Sequence, residues 1–169
     1  MFAAPDASSP LTQGDLFDEC PLVGLSPDGP PEDPAAIPVQ RWYARVIVLT
    51  QACDLAQPRT ELVLVAPVHS AEKLVERGVL KGSAIRDHVR RHLVLGWYFL
   101  PECTAPVVLP ESIVDLRDLH TVPRAVLDQM VARNKRIASL LSPYREHLAQ
   151  HFAVTYMRVA LPEPYPSRP

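Results

Sequence analysis

A short polar segment at residues 50–55 follows a run of apolar and β-branched residues and carries the most reactive side chains in the middle of the chain. Side chains that follow a buried strand are commonly presented to ligands at the rim of a sheet. Gln51 offers both a donor and an acceptor, which suits the edge of a nucleotide base. Cys53 could act as a nucleophile, or contribute with Asp54 and a histidine to a metal site. The simpler interpretation is a small buried cysteine beside a turn-capping aspartate.

Four of the six histidines could take part in chemistry. His92 and His120 lie in mid-chain and are the plausible bases for a thiol nucleophile. His147 and His151 are four residues apart, so on a helix they share a face and could chelate a metal. A metalloprotease motif requires a glutamate directly after the first histidine, and Leu148 stands there instead. We therefore interpret this pair as surface or core-edge histidines, and we expect neither a metal nor another cofactor.

Charge is unevenly distributed along the chain. The formal net charge is −2, but the first forty residues hold seven acids and neither Lys nor Arg, which leaves 17 basic and 12 acidic residues in the remainder. A basic body with an acidic N-terminal segment could bind a polyanion that the segment screens, or could be ordinary solvated surface. Near the C-terminus a basic face could contact phosphate, with Tyr144 available for stacking. This face comprises Arg133, Lys135, Arg136 and Arg145.

The composition fits one globular domain of ordinary size. We predict an irregular tail over residues 1–13, a single domain over residues 14–160 and a proline-rich tail over residues 161–169. The three cysteines are scattered and lack CxxC spacing, which favours a reducing cytoplasm. No apolar run approaches the ~20 residues that a membrane span requires, and the N-terminus lacks the pattern of a secretory signal. We therefore expect a cytoplasmic protein without membrane contact.

The elements that must position these side chains follow from periodicity and turn residues. The predicted strands cover residues 14–23, 42–50, 60–68, 93–100 and 112–116, with a long proline-rich loop at 24–38. The predicted helices cover residues 70–77 and 83–92, a long segment from Pro123 to Leu141, and a last segment that begins at Pro143 and places Leu148, Phe152, Tyr156 and Val159 on its apolar face. Strands first and helices last predict an α+β domain with a small curled antiparallel sheet.

Four stretches of the sequence together resemble the MazF/PemK family of toxin endoribonucleases. They are GDLFDECPLV at 14–23, RVIVLTQ at 45–51, TELVLVAPV at 60–68 and SIVDLRDLHTV at 112–122, and the resemblance spans residues 13–127. It implies a small SH3-like antiparallel β-barrel with C-terminal helices. It also implies single-stranded RNA as substrate, metal-independent cleavage, a bacterial toxin–antitoxin or defence setting, a protein antitoxin and a homodimer.

Residue by residue, the resemblance implies a catalytic role for Arg45, whose guanidinium would neutralise charge on the phosphorane, and for Thr60 as its polar partner. His120, which stands where the family has an arginine in its closing strand, is the third candidate catalytic residue that the resemblance implies. Arg117, in the same stretch, joins Gln51, Cys53 and Asp54 as a candidate ligand-binding residue. The family's proline after the arginine is replaced by Val46.

Two other functions remain open on the sequence. One is a non-catalytic binding or regulatory module that uses the barrel rim around Gln51–Asp54 for a protein or a small ligand, which the replacement by Val46 favours. The other is a cysteine enzyme that acts through Cys53.

Overall fold

The computed structural model describes residues 1–4, 6, 8–26 and 37–157, which form an α+β fold. The strands are β1 (Phe2–Ala3), β2 (Asp15–Leu25), β3 (Val39–Val48), β4 (Leu62–Ser70), β5 (Trp97–Leu100), β6 (Ser112–Asp115), β7 (His120–Pro123) and β8 (Arg136–Leu140). The helices are α1 (Ala52–Leu55), α2 (Ala71–Glu76), α3 (Gly82–Asp87), α4 (Arg124–Ala132) and α5 (Tyr144–Tyr156), with a 3₁₀ turn at Val89–Arg91. None of the helices in this part of the chain is long and apolar enough to cross a membrane.

The strands form one curled antiparallel sheet in the order β1-β8-β2-β3-β4-β6-β5, with β7 paired to β4. The predicted α+β class and curled antiparallel sheet are thus confirmed. The centre of the sheet is apolar on both faces, because β3 is a continuous apolar run where it pairs with β4. Ile47 packs in one core cluster with Leu148 of α5, whereas Val48 packs on the opposite face with Leu127 of α4.

The long helix predicted from Pro123 to Leu141 is wrong. Helix α4 ends at Ala132, and the chain turns through Asn134, which has the left-handed φ of 56° that asparagine tolerates well. The following residues form β8, which lies between β1 and β2. Burial alternates along β8 with the period of two that is typical of a strand. The spacing of the apolar residues alone had indicated a helix. Val159, predicted on the last helix, lies outside the described residues.

The first thirteen residues, predicted as an irregular tail, contribute β1 and surround a buried ion pair. Arg136 of β8 donates from Nη1 to Asp15 Oδ2 at 3.0 Å, and the side chains of both residues are essentially inaccessible to solvent. The guanidinium also donates to backbone carbonyls of the N-terminal segment, those of Asp6, Ser9 and Pro10. A buried arginine requires acceptors, and this segment supplies them.

Candidate functional site

Two of the side chains that the resemblance implied to be catalytic, Arg45 and Thr60, lie beside different ends of β4. Arg45 precedes Val46, which pairs with Pro67 near the end of β4, whereas Thr60 precedes the start of β4 at Leu62. The five-residue step from Leu62 to Pro67 corresponds to about 16 Å of extended strand. The Arg45 guanidinium and the Thr60 hydroxyl are therefore at opposite ends of the strand rather than together.

Each of these residues has its own partners. Arg45 donates from Nε and Nη2 to the carboxylate of Asp18, at 3.3 and 3.1 Å. Thr60 donates from its hydroxyl to the backbone carbonyl of Asp54 at 2.6 Å, which holds the turn after α1. His120 contacts the ring of Trp42 edge-on, with 5.5 Å between centroids. Its Nε2 lies 2.9 Å from Asp118 Oδ1 without completing a hydrogen bond of good geometry.

The candidate ligand-binding residues fall into two separate places. Gln51, Cys53 and Asp54 are exposed at α1, and the Cys53 sulfur lies 3.5 Å from Gln51 Oε1. Cys53 is thus not the buried residue that the simpler interpretation expected. Arg117 lies on another segment, where its guanidinium is 3.8 Å from the centroid of the Trp97 ring and is paired with Asp115.

A groove opens beside Arg45 because β3 and β4 pair only through Val46–Val48 within the described residues. The first half of β3 diverges from β4, and the space between this half and α2 forms a groove of about 440 Å³. Its polar and aromatic lining residues are Asp18, Tyr43, Arg45, His69, Ser70, Lys73 and Arg77. We call this site the β3–α2 groove.

The β3–α2 groove is positively charged because the basic residues of α2 line it, whereas the acidic residues of α2 line a different cavity. Lys73 and Arg77 are four residues apart, share a face of the helix and line the groove. Glu72 and Glu76 line a cavity on the other side of α2 instead. Three cations in the groove therefore face one carboxylate, that of Asp18, which is already paired with Arg45.

An exposed aromatic side chain stands on β3 at this groove. Tyr43 lines it and is 75% exposed, whereas the neighbouring Trp42 is 37% exposed and lies on the opposite face of the strand. Trp42 packs over Gly24 of β2, where an added Cβ would lie 2.9 Å from the indole Cη2, so glycine is required there. An exposed phenol beside cations is the arrangement on which an unpaired base can stack.

Three of the seven acids in the first forty residues pair with particular cations, and Asp28, Glu32 and Asp33 lie outside the described residues. Asp15 pairs with Arg136, Asp18 with Arg45, and Glu19 with Lys135. A β-bulge between Phe17 and Cys20, with Glu19 at a positive φ of 53°, interrupts the register at these acids. The proposed basic face near the C-terminus is also divided, since Arg136 is buried.

Sequence reasoning missed Tyr43, His69, Lys73 and Arg77 as site residues. The spacing of Lys73 and Arg77 within the predicted helix at 70–77 was the available signal. Their position opposite Tyr43 depends on the divergence of β3 from β4, which no local pattern indicates.

Within the described residues, no group of three His, Cys, Asp or Glu side chains has an arrangement that could hold a metal ion. No protein-family model matches the sequence, and no curated protein matches it at a significant level.

Proposed function

We propose that the chain binds single-stranded RNA in the β3–α2 groove, as a distant relative of the MazF/PemK barrels. The observation that carries this proposal is the concentration of Arg45, Lys73 and Arg77 in one groove with the exposed ring of Tyr43. The acids of α2 line another cavity. The bacterial toxin–antitoxin or defence setting, with a protein antitoxin and a homodimer, belongs to the same proposal and rests on the resemblance.

The chemistry of the groove suits a single strand better than a duplex. Lys and Arg neutralise successive phosphates, and an aromatic ring stacks on a base that is not paired. In duplex RNA the bases are stacked within the helix and unavailable to Tyr43. We therefore expect tighter binding to an unstructured oligonucleotide than to a duplex of the same sequence.

The proposal is one of binding, with Arg45 as a phosphate contact, rather than of cleavage. Cleavage through Arg45 and Thr60 requires both groups at one phosphate, and the Thr60 hydroxyl is bonded to the Asp54 carbonyl at the other end of β4. His69 is the one histidine among the residues that line the groove, so the groove does not offer the pair of imidazoles that acid–base cleavage of RNA could use.

The first prediction concerns the ion pair between Arg45 and Asp18. Replacing Arg45 by alanine is expected to weaken RNA binding about tenfold, because one charge-assisted phosphate contact is lost and Asp18 becomes an unpaired anion at the groove. Replacing Asp18 by asparagine should have the opposite effect, since it frees the guanidinium and removes the negative charge. Fluorescence anisotropy of a labelled, unstructured RNA 12-mer measures both dissociation constants.

The opposite signs separate a groove effect from a loss of folding. Destabilisation by either variant would weaken binding in both cases, whereas the proposal requires tighter binding by Asp18→Asn. Unchanged affinity of Arg45→Ala, or equal affinity of the wild type for single-stranded and duplex RNA, would contradict the proposal. Tighter binding to single-stranded DNA of the same sequence would show that RNA is not the preferred ligand and would also contradict the proposal.

A further inference from the structure

Three histidines and a tyrosine form a contact cluster where α5 packs on the sheet, outside the β3–α2 groove. His92 follows the 3₁₀ turn, Tyr98 lies on β5, and His147 and His151 lie one turn apart on α5. Ring centroids are 4.5 Å apart for His92 and Tyr98, 4.7 Å for His92 and His147, and 5.7 Å for His92 and His151. Elements distant in sequence therefore meet through their imidazoles.

Hydrogen bonding within the cluster leaves two imidazole nitrogens unsatisfied. The Tyr98 hydroxyl lies 3.2 Å from the Tyr144 carbonyl and 3.2 Å from His147 Nδ1. One hydroxyl proton serves only one acceptor, so both contacts are satisfied when Tyr98 donates to the carbonyl and accepts from an Nδ1–H of His147. Among the described residues, His92 Nδ1 and His151 Nε2 are buried without a hydrogen-bond partner.

Burial and neighbouring imidazoles disfavour charge on His92 and His151. Burial, together with His147 and His151, lowers the pKa of His92 to about 4. Burial and His147 also lower the pKa of His151, and this effect exceeds the opposing one of the Val94 and Trp97 backbone groups, which raise the pKa. His151 Nε2 itself has no hydrogen-bond partner among the described residues. Burial raises the pKa of Tyr98 to about 12, so its phenol stays protonated.

Other charged groups at the cluster offer little compensation. Glu146 is the carboxylate among the residues that line the cleft at His92 and His147. It is engaged by Arg145, whose Nη2 lies 2.9 Å from Oε1. Protonated imidazoles would thus repel one another across about 5 Å with one partly neutralised counter-charge nearby.

Helix α5 depends on this cluster for much of its packing. Of its 13 residues, Leu148 and His151 are the buried ones, so half of its buried side chains are titratable. Its other attachments include hydrogen bonds between Thr155 and the Gly96 amide and between Tyr156 and the Leu116 carbonyl. Such a helix is held by few contacts and can be released by a modest free energy.

We propose that the cluster of His92, Tyr98, His147 and His151 is a proton-sensitive latch, which docks α5 on the sheet when His92 and His151 are neutral and releases α5 when they are protonated. A histidine whose pKa is lowered in the docked state binds protons more readily in the released state. Its contribution to docking is complete above the ordinary histidine pKa near 6.5 and is lost as the pH falls towards about 4.

Hydrogen exchange of the intact chain at pH 7.5 and pH 5.0, corrected for intrinsic rates, tests the latch. The protection of amides in α5 is expected to fall about tenfold at pH 5.0, a value that discounts the shift of His92 for its partial exposure. Amides of β4 should keep their protection. His92→Asn, which suits the left-handed backbone at φ 54°, should retain docking and lose most of the acid response.

His88→Asn is the matched control, because His88 is an exposed histidine close in sequence, and it should respond as the wild type does. If His92→Asn fails to fold, NMR titration of the wild-type histidines gives a second readout, with at least one imidazole titrating below pH 5. The latch is refuted by constant α5 protection between the two pH values, by a full acid response in His92→Asn, or by all six histidines titrating near 6.5.

Discussion

Replacing Arg136 by methionine is expected to lower the free energy of unfolding by about 3–5 kcal/mol, because it leaves the fully buried carboxylate of Asp15 without its cation. Methionine keeps an unbranched, adaptable apolar side chain and carries no charge, so we expect the lost ion pair to outweigh the change in packing. The carbonyls of Asp6, Ser9 and Pro10 lose their shared donor as well. Urea denaturation followed by circular dichroism measures the change.

Lys135→Met is the matched control. Lys135 is the residue before Arg136 and pairs with Glu19, but both side chains of that pair are largely exposed, so the expected loss is below about 1 kcal/mol. The double variant Asp15→Leu with Arg136→Met should recover part of the loss, because no buried charge then remains unpaired. Equal effects of Arg136→Met and Lys135→Met would contradict the assignment of Arg136 as the centre of the N-terminal packing.

Reversing the charge of both α2 cations, with Lys73→Glu and Arg77→Glu together, is expected to weaken binding of single-stranded RNA about 100-fold at low salt. Two phosphate contacts of about 1.4 kcal/mol each account for that factor. Fewer counterions are released on binding when two phosphate contacts are lost, so the slope of log affinity against log salt should also become shallower by about 1.4. Anisotropy titrations between 50 and 200 mM salt measure both quantities.

Arg86→Glu with Arg91→Glu changes the net charge by the same amount at exposed residues outside the β3–α2 groove. If binding depends on position, this control keeps its affinity within a few-fold of the wild type and keeps its salt slope. A comparable loss in both double variants would show that RNA responds to net charge alone, and the groove would have no specific role.

The parts of the fold that local chemistry determines could be predicted from the sequence. The run at 42–50 indicated a strand buried on both faces, which is confirmed for Val46–Val48 but not for the exposed Trp42 and Tyr43. Ser70 does cap α2, with its Oγ accepting from the Lys73 amide. Strand β8 could not be predicted in this way, because its inward-facing residues alternate around a buried arginine. Only the partner Asp15, more than a hundred residues earlier, makes Arg136 compatible with the core.

The candidate site likewise combines features that local sequence indicates with features that depend on tertiary structure. The resemblance directed attention to Arg45, which does line the β3–α2 groove, and its implied role in catalysis stays a prediction. The ion pair of Arg45 with Asp18 accompanies a bulge at Glu19, whose positive φ is uncommon for a glutamate and leaves no mark in the sequence. Lys73 and Arg77 could be placed on one helix face, but the strand that they face is a matter of tertiary structure.

Photo-crosslinking of a 4-thiouridine-labelled single-stranded RNA to the intact chain, followed by mass spectrometry, tests the central claim most directly. Because Tyr43 offers an exposed ring at the β3–α2 groove, the crosslinks are expected at Tyr43 and should disappear in Lys73→Glu with Arg77→Glu. Crosslinks confined to α1 around Gln51–Asp54 would favour the rim as the binding surface. That result, or no crosslinking at saturating protein, would contradict the assignment of the groove.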